Sequence, residues 1–199
     1  MHDRGRVSGF AKRRGIFRAS EIQELGIHTQ VLTRLEREGV IERVARGRYR
    51  LALGEITEHH GFALAASVAP KGVVCLLSAL RFHDVTTQNP SEVWLAVERR
   101  ARVPRSQFPP LRILRFSGRA FTSGIETHRI EGQHVRVYSL AKTIADLFKY
   151  RNKVGIDVAV EALRDAWQSR KVKPSDIDPY ARICRVQKLI QPYLEALTA

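Results

Sequence analysis

The stretch from Gly26 to Ala52, GIHTQVLTRLEREGVIERVARGRYRLA, constrains the fold more than any other part of the chain. Gly26 supplies a left-handed turn. A helix is predicted from about Thr29 to Glu38, because Val31, Leu32 and Leu35 recur at i, i+1 and i+4 on one narrow face. Gly39 ends it. VIERV then alternates apolar and polar like a strand, ARGR turns the chain, and YRLA returns. A helix with one apolar face followed at once by a basic hairpin can bury its apolar residues only against neighbouring elements.

Those neighbours lie just upstream. A short helix is predicted around Val7 to Arg14, ended by Gly15, with Ile16 and Phe17 as a minimal strand. Ser20 is the expected N-cap of EIQEL, since a serine hydroxyl accepts a free amide at a helix start. The order is helix, strand, helix, turn, helix, hairpin, which is that of a winged helix-turn-helix. With Val31, Leu32 and Leu35 facing inward, His28, Thr29, Gln30, Thr33, Arg34 and Arg37 face outward. Their chemistry suits a DNA groove: arginine pairs with guanine edges, glutamine with adenine, and threonine meets a thymine methyl or a phosphate. Thr29, Gln30, Thr33 and Arg34 are the expected base readers, and Arg37 a phosphate contact. Arg46 and Arg48 bracket Gly47 at the hairpin tip, where they could follow a minor groove or phosphate ridge. Arg18 is expected on flanking backbone.

The charge balance agrees with this reading. The 199 residues carry 34 Lys and Arg, most of them arginine, against 20 Asp and Glu, a net charge of +14. Such an excess favours nucleic acid or an acidic protein over a neutral metabolite. Both parts of the chain share it: residues 1–54 are +6 and residues 55–199 are +8, with a local block of 9 Arg against 2 Glu in 99–136. Apolar residues at 44% are enough for a core. No apolar run approaches the ~18 residues of a membrane helix, and the N-terminus lacks a secretory apolar run. The two cysteines, Cys75 and Cys184, are far apart and read as buried thiols. A cytoplasmic protein without a membrane partner is expected.

Beyond Gly54 the pattern changes. TEHHGFALAASVA reads as a helix stopped by Pro70, and a second helix begins near Ser78. EVWLAV and LRILRF are strand candidates separated by a basic, proline-bearing loop. GIETHRI and HVRVY alternate with period two and form a hairpin through Glu131, Gly132 and Gln133. Helices then dominate, the last kinked or divided at Pro192. The fold class is therefore α+β: a winged helix-turn-helix domain over 1–54, and a larger α+β domain over 55–199 with a small, mostly antiparallel sheet and several helices.

No catalytic constellation emerges. There is no GxSxG, no GxxxxGK[ST] and no acidic pair followed by lysine, so no enzyme, cofactor or metal is expected. Adjacent His59 and His60 point about 100° apart on a helix and do not form one ligand face. Lys142 and Asp146, at i and i+4, read as a surface pair. Lys149, Arg151, Asn152 and Lys153 form a basic elbow between two helices, suited to an acidic partner or to nucleic acid.

The stretch GIFRASEIQELGIHTQVLTRLEREGVIERVARGRYRLA resembles the N-terminal domain of AbiEi-type antitoxins. VCLLSALRFHDVTTQNPSEVWLAV and VYSLAKTIADLFKYRNKVGIDVAVEAL continue the resemblance, which covers most of residues 9–197. It implies a DNA-binding transcriptional autorepressor of a type IV toxin–antitoxin, abortive-infection operon. Its operator would be an inverted repeat in double-stranded DNA holding two or more copies. Its cognate toxin would be a nucleotidyltransferase, countered by the C-terminal domain without a stable complex. The alternatives are a solitary winged-helix regulator without a toxin, and an RNA-binding protein using the 99–136 block. RNP-like strand aromatics, which would favour RNA, are not seen.

Overall fold

A computed structural model describes residues 2–86, 88–104, 106 and 108–198. The chain divides into two compact units. The first comprises residues 1–70, 104–111 and 128–135, and the second residues 71–103, 112–127 and 136–199. The first unit thus runs past Gly54 to Pro70 and takes in two later segments.

In the first unit, α1 spans His2–Arg14, β1 Phe17–Arg18, α2 Ala19–Glu24, α3 Gln30–Arg37, β2 Ile41–Ala45, β3 Arg48–Leu51 and α4 His60–Val68. α1 is longer than its predicted Val7 start because Asp3 sits in its first turn and Lys12, Arg13 and Arg14 in its last, which complements the helix dipole. The strand lies one residue later than expected, and Ser20 does not cap α2. The helix starts at Ala19, and the Glu21 carboxylate accepts the Arg18 amide at 2.7 Å. The strands form an antiparallel sheet ordered β1-β3-β2, with Phe17 opposite Tyr49 and Ile41 opposite Leu51. Val7, Ala11, Phe17, Ile22, Ile27, Leu32, Leu35 and Ile41 make one buried cluster beneath it. Each large member contributes about 1.5–3 kcal/mol by leaving water.

Residues 128–135 close this unit. The side-chain amide of Gln133 donates to the carbonyls of Arg14, at 3.1 Å, and Ile16, at 2.7 Å. At Gly132, φ is +76° and an added Cβ would sit 2.2 Å from the Arg14 oxygen; at Gly15, φ is +67° and a Cβ would sit 1.7 Å from the Glu131 oxygen. Only glycine fits at either place. The Glu131 carboxylate accepts from the Thr57 amide at 2.9 Å and contacts His60 Nδ1 at 2.6 Å. His60 is therefore part of the fold, at the start of α4.

Most of a five-stranded sheet ordered β6-β5-β4-β8-β7 lies in the second unit, from β4 (Val73–Val74), β5 (Val93–Glu98), β6 (Leu111–Phe116), β7 (Ile125–Ile130) and β8 (Gln133–Tyr138); Leu111 and residues 128–130 and 133–135 of these strands count with the first unit. β4 pairs antiparallel with β5 and parallel with β8. β7 and β8 are neighbours joined by Glu131 and Gly132, a link that only antiparallel strands permit. α5 (Leu76–Phe82), α6 (Arg119–Thr122), α7 (Leu140–Lys149), α8 (Arg151–Val154), α9 (Ile156–Gln168), α10 (Pro174–Cys184) and α11 (Gln187–Thr198) complete the unit. α5 starts at Leu76, before Ser78; the buried Ser78 hydroxyl instead accepts the Trp94 amide at 2.9 Å. α11 continues through Pro192 as one element.

The α7 pair overturns the surface reading. Lys142 and Asp146 are 0% and 1% exposed, and Nζ lies 2.5 Å from Oδ2. The other carboxylate oxygen accepts from the Cys184 thiol at 3.2 Å, and the ammonium stands 4.4 Å from the Tyr138 ring centre. The i, i+4 spacing is that of a surface pair, but α7 is covered by α5, α9 and α10, so the pair is enclosed. Burial raises the Asp146 pKa, opposed by the Lys142 charge. Burial likewise pushes the Cys75 thiol well up and the Cys184 thiol up to about 12. Both cysteines are free and buried.

Candidate nucleic-acid interface

The candidate site grows from the turn between α2 and α3. Gly26 adopts φ +75°, and the amide of buried Ile27 returns to the Ile22 carbonyl at 3.2 Å. This anchors the start of α3. Thr29 stands at the N-cap, half-buried, and the Gln30 amide donates to His28 Nδ1 at 3.2 Å. Leu32 and Leu35 are buried and Val31 half-buried, so the helix presents Gln30, Thr33, Arg34 and Arg37 to solvent. α3 has 8 residues, a length of about 12 Å, comparable to the width of a B-DNA major groove. Arg34 lies 3.8 Å from Glu38, an exposed pair held loosely.

The wing is β2, β3 and the turn at Arg46 and Gly47, where Gly47 takes φ +67°. The Gly47 carbonyl accepts the Ala19 amide at 3.0 Å, so the turn is fixed to the start of α2. Arg46 is exposed. Arg48 is not displayed beside it. Its Nη2 donates to the Ser67 carbonyl at 2.8 Å, at the C-terminal end of α4, and Arg18 reaches the same oxygen at 3.4 Å. Burial, then the neighbouring Arg18 charge, lowers the Arg48 pKa. Period-two alternation could not reveal this, because the acceptor lies 19 residues away in sequence. Arg43 on β2 is exposed and was not singled out from the sequence; the alternation of IERVA was the signal that could have found it. Arg50 is 6% exposed and serves the fold, meeting Glu42 and donating to the Gly54 carbonyl at 3.1 Å.

Residues 10–52 match the family model described as transcriptional regulator, AbiEi antitoxin. No curated protein matches the chain. The AbiEi match begins in α1 and ends just after β3, so it contains α3 and the wing entire. Ser67 and the 128–135 segment, which hold the wing and the α1–β1 junction, lie outside the AbiEi match.

The basic elbow belongs to the second unit. The predicted break between helices is itself a short helix, α8. Lys149, Asn152 and Lys153 are exposed, while Arg151 is half-buried and donates to the Phe148 carbonyl at 3.1 Å. Arg105, in the 99–136 block, lies outside the described residues. No described helix is long and apolar enough to cross a membrane.

Proposed function

We propose that the chain is a double-stranded-DNA-binding transcriptional repressor of its own promoter, and the antitoxin of a type IV toxin–antitoxin, abortive-infection system. The observation that carries the DNA reading is the exposed row Gln30, Thr33, Arg34 and Arg37 on α3, in the same unit as the exposed wing arginine Arg46. α3 enters the major groove with Gln30, Thr33 and Arg34 on base edges and Thr29 at its mouth. Arg37, Arg46 and Arg18 meet phosphate. The match over residues 10–52 supports a regulator of this type.

An inverted-repeat operator would hold two or more copies, each reading one half-site. The second unit, with Lys149, Asn152 and Lys153 exposed, would counter a nucleotidyltransferase toxin without forming a stable complex. The protein acts in the cytoplasm, without enzymatic activity, cofactor or membrane partner. Footprinting on the chain's own promoter tests the DNA reading: an inverted protected repeat is expected, and protection without sequence preference would overturn the operator assignment. Co-expression with a toxin encoded beside it tests the antitoxin reading. Growth rescue by the full chain is expected, and its absence would favour a solitary regulator.

A further inference from the structure

The second unit contains a cleft of about 820 Å³ that the DNA reading leaves unused. It is lined by Ser117 and Arg119, by Lys149 at the end of α7, and by Asp178, Arg182 and Arg185 of α10 and its cap. Arg119, Lys149, Arg182 and Arg185 are all exposed, so they are free to turn toward a ligand. Asp178 neutralises one of them, standing 2.8 Å from Arg182. The C-termini of α7 and α10 add about −0.5 charge each. Four cations against these leave the cleft near +2, an anion site by charge.

The frame of the cleft is fixed. Cys184 forms part of its wall and is bonded to buried Asp146. Arg185 is held at φ +60°, a left-handed cap closed by its own amide on the Arg182 carbonyl at 3.1 Å and by the Val186 amide on the Ala181 carbonyl at 2.9 Å. The size falls in the range of small-ligand sites, about 300–1,000 Å³. No aromatic ring lines it among the described residues, so it offers no stacking platform of the kind that tracks single-stranded nucleic acid. Recognition must come from cations and one hydroxyl.

We propose that this cleft binds an oligophosphate, the triphosphate group of a nucleotide or its inorganic counterpart. Arginine forks suit phosphate oxygens, and Lys149 supplies a point charge between them. The test is calorimetric titration of the full chain at fixed ionic strength, with inorganic triphosphate in one arm and adenosine triphosphate in the other. One saturable site is expected. Lys149→Glu, and separately Arg119→Ala with Arg185→Ala, should weaken it by about tenfold or more. Arg164→Glu, an exposed charge on α9 outside the cleft, should change it less than about twofold. Equal affinity in the two arms identifies a free oligophosphate, and tighter adenosine triphosphate a nucleotide. Three results would overturn the proposal: no saturable site, equal loss in the Arg164 control, or a Lys149→Glu effect seen only on duplex DNA. Circular dichroism on each variant checks that the fold persists, and Lys149→Gln repeats the test without charge reversal.

Discussion

The guanidinium of Arg48 donates to the main-chain oxygen of Ser67 at 2.8 Å, which turns the second wing arginine toward the body of its own unit. The two arginines of the Arg-Gly-Arg turn therefore do different work. Arg46 faces solvent, while Arg48 holds the C-terminal end of α4.

Arg46→Ala should lower duplex affinity on any sequence and reduce the slope of log affinity against log salt by about 0.9. Arg48→Ala should leave that slope nearly unchanged and lower unfolding stability by about 1–3 kcal/mol, because the Ser67 carbonyl loses its closest charged donor. Salt-titrated binding and urea denaturation separate the two. A full slope change for Arg48→Ala would place that side chain on DNA after all.

Gln30→Ala and Arg34→Ala should each cost about 1–3 kcal/mol at the operator with little loss on random duplex. The comparison is made at one salt concentration. Equal losses on both duplexes would move these side chains from base edges to phosphates.

Gln133→Ala should destabilise the first unit by about 1–3 kcal/mol, since it strands the Arg14 and Ile16 carbonyls. Gly132→Ala should cost more, because its Cβ would stand 2.2 Å from the Arg14 oxygen. Amide exchange in α1 and β1 is the readout. Unaltered protection there would mean that the 128–135 segment contributes nothing to that junction.

Lys142→Met should cost about 3–5 kcal/mol by leaving a buried carboxylate without its cation. Lys142→Met combined with Asp146→Leu should recover much of that loss. A double-mutant cycle in urea measures the coupling, and additive losses would contradict the enclosed pair.

Alkaline pH supplies a further check. Burial raises the Cys184 thiol from 9.0 to about 12 in the folded chain. The folded state then holds a proton that the unfolded state releases first. The stability tied to this thiol is complete below about pH 9 and is lost as pH rises from 9 toward 12. Cys184→Ala should show a shallower alkaline decline in denaturation midpoint than the parent chain, and identical profiles would contradict the shift.

The elements near α3 were legible because local rules govern them. Leu32 and Leu35 fix the buried face by helical spacing, and Gly26, Gly39 and Gly47 mark turns that need positive φ. What escaped the sequence depends on partners distant along the chain. Arg48 looked like a tip residue until Ser67 supplied an acceptor. Lys142 and Asp146 looked solvated until α5, α9 and α10 covered them. Ser20 was misplaced for a subtler reason: Glu21 satisfies the helix start from inside, so the serine hydroxyl was not needed. The boundary at Gly54 followed a change in periodicity, which cannot register a hairpin tip that returns some 75 residues later.

That returning segment has a consequence in time. The helix and wing are translated by residue 52, but Gly132 and Gln133, which fasten the α1–β1 junction, emerge only after another 80 residues or so. At roughly 5–20 residues per second, this is a delay of about 4–16 s on the ribosome. During that interval a nascent chain carries α3 and the wing without the clasp at the α1–β1 junction. Prematurely terminated products ending before residue 128 lack the same clasp, because Gly132 and Gln133 are missing from them.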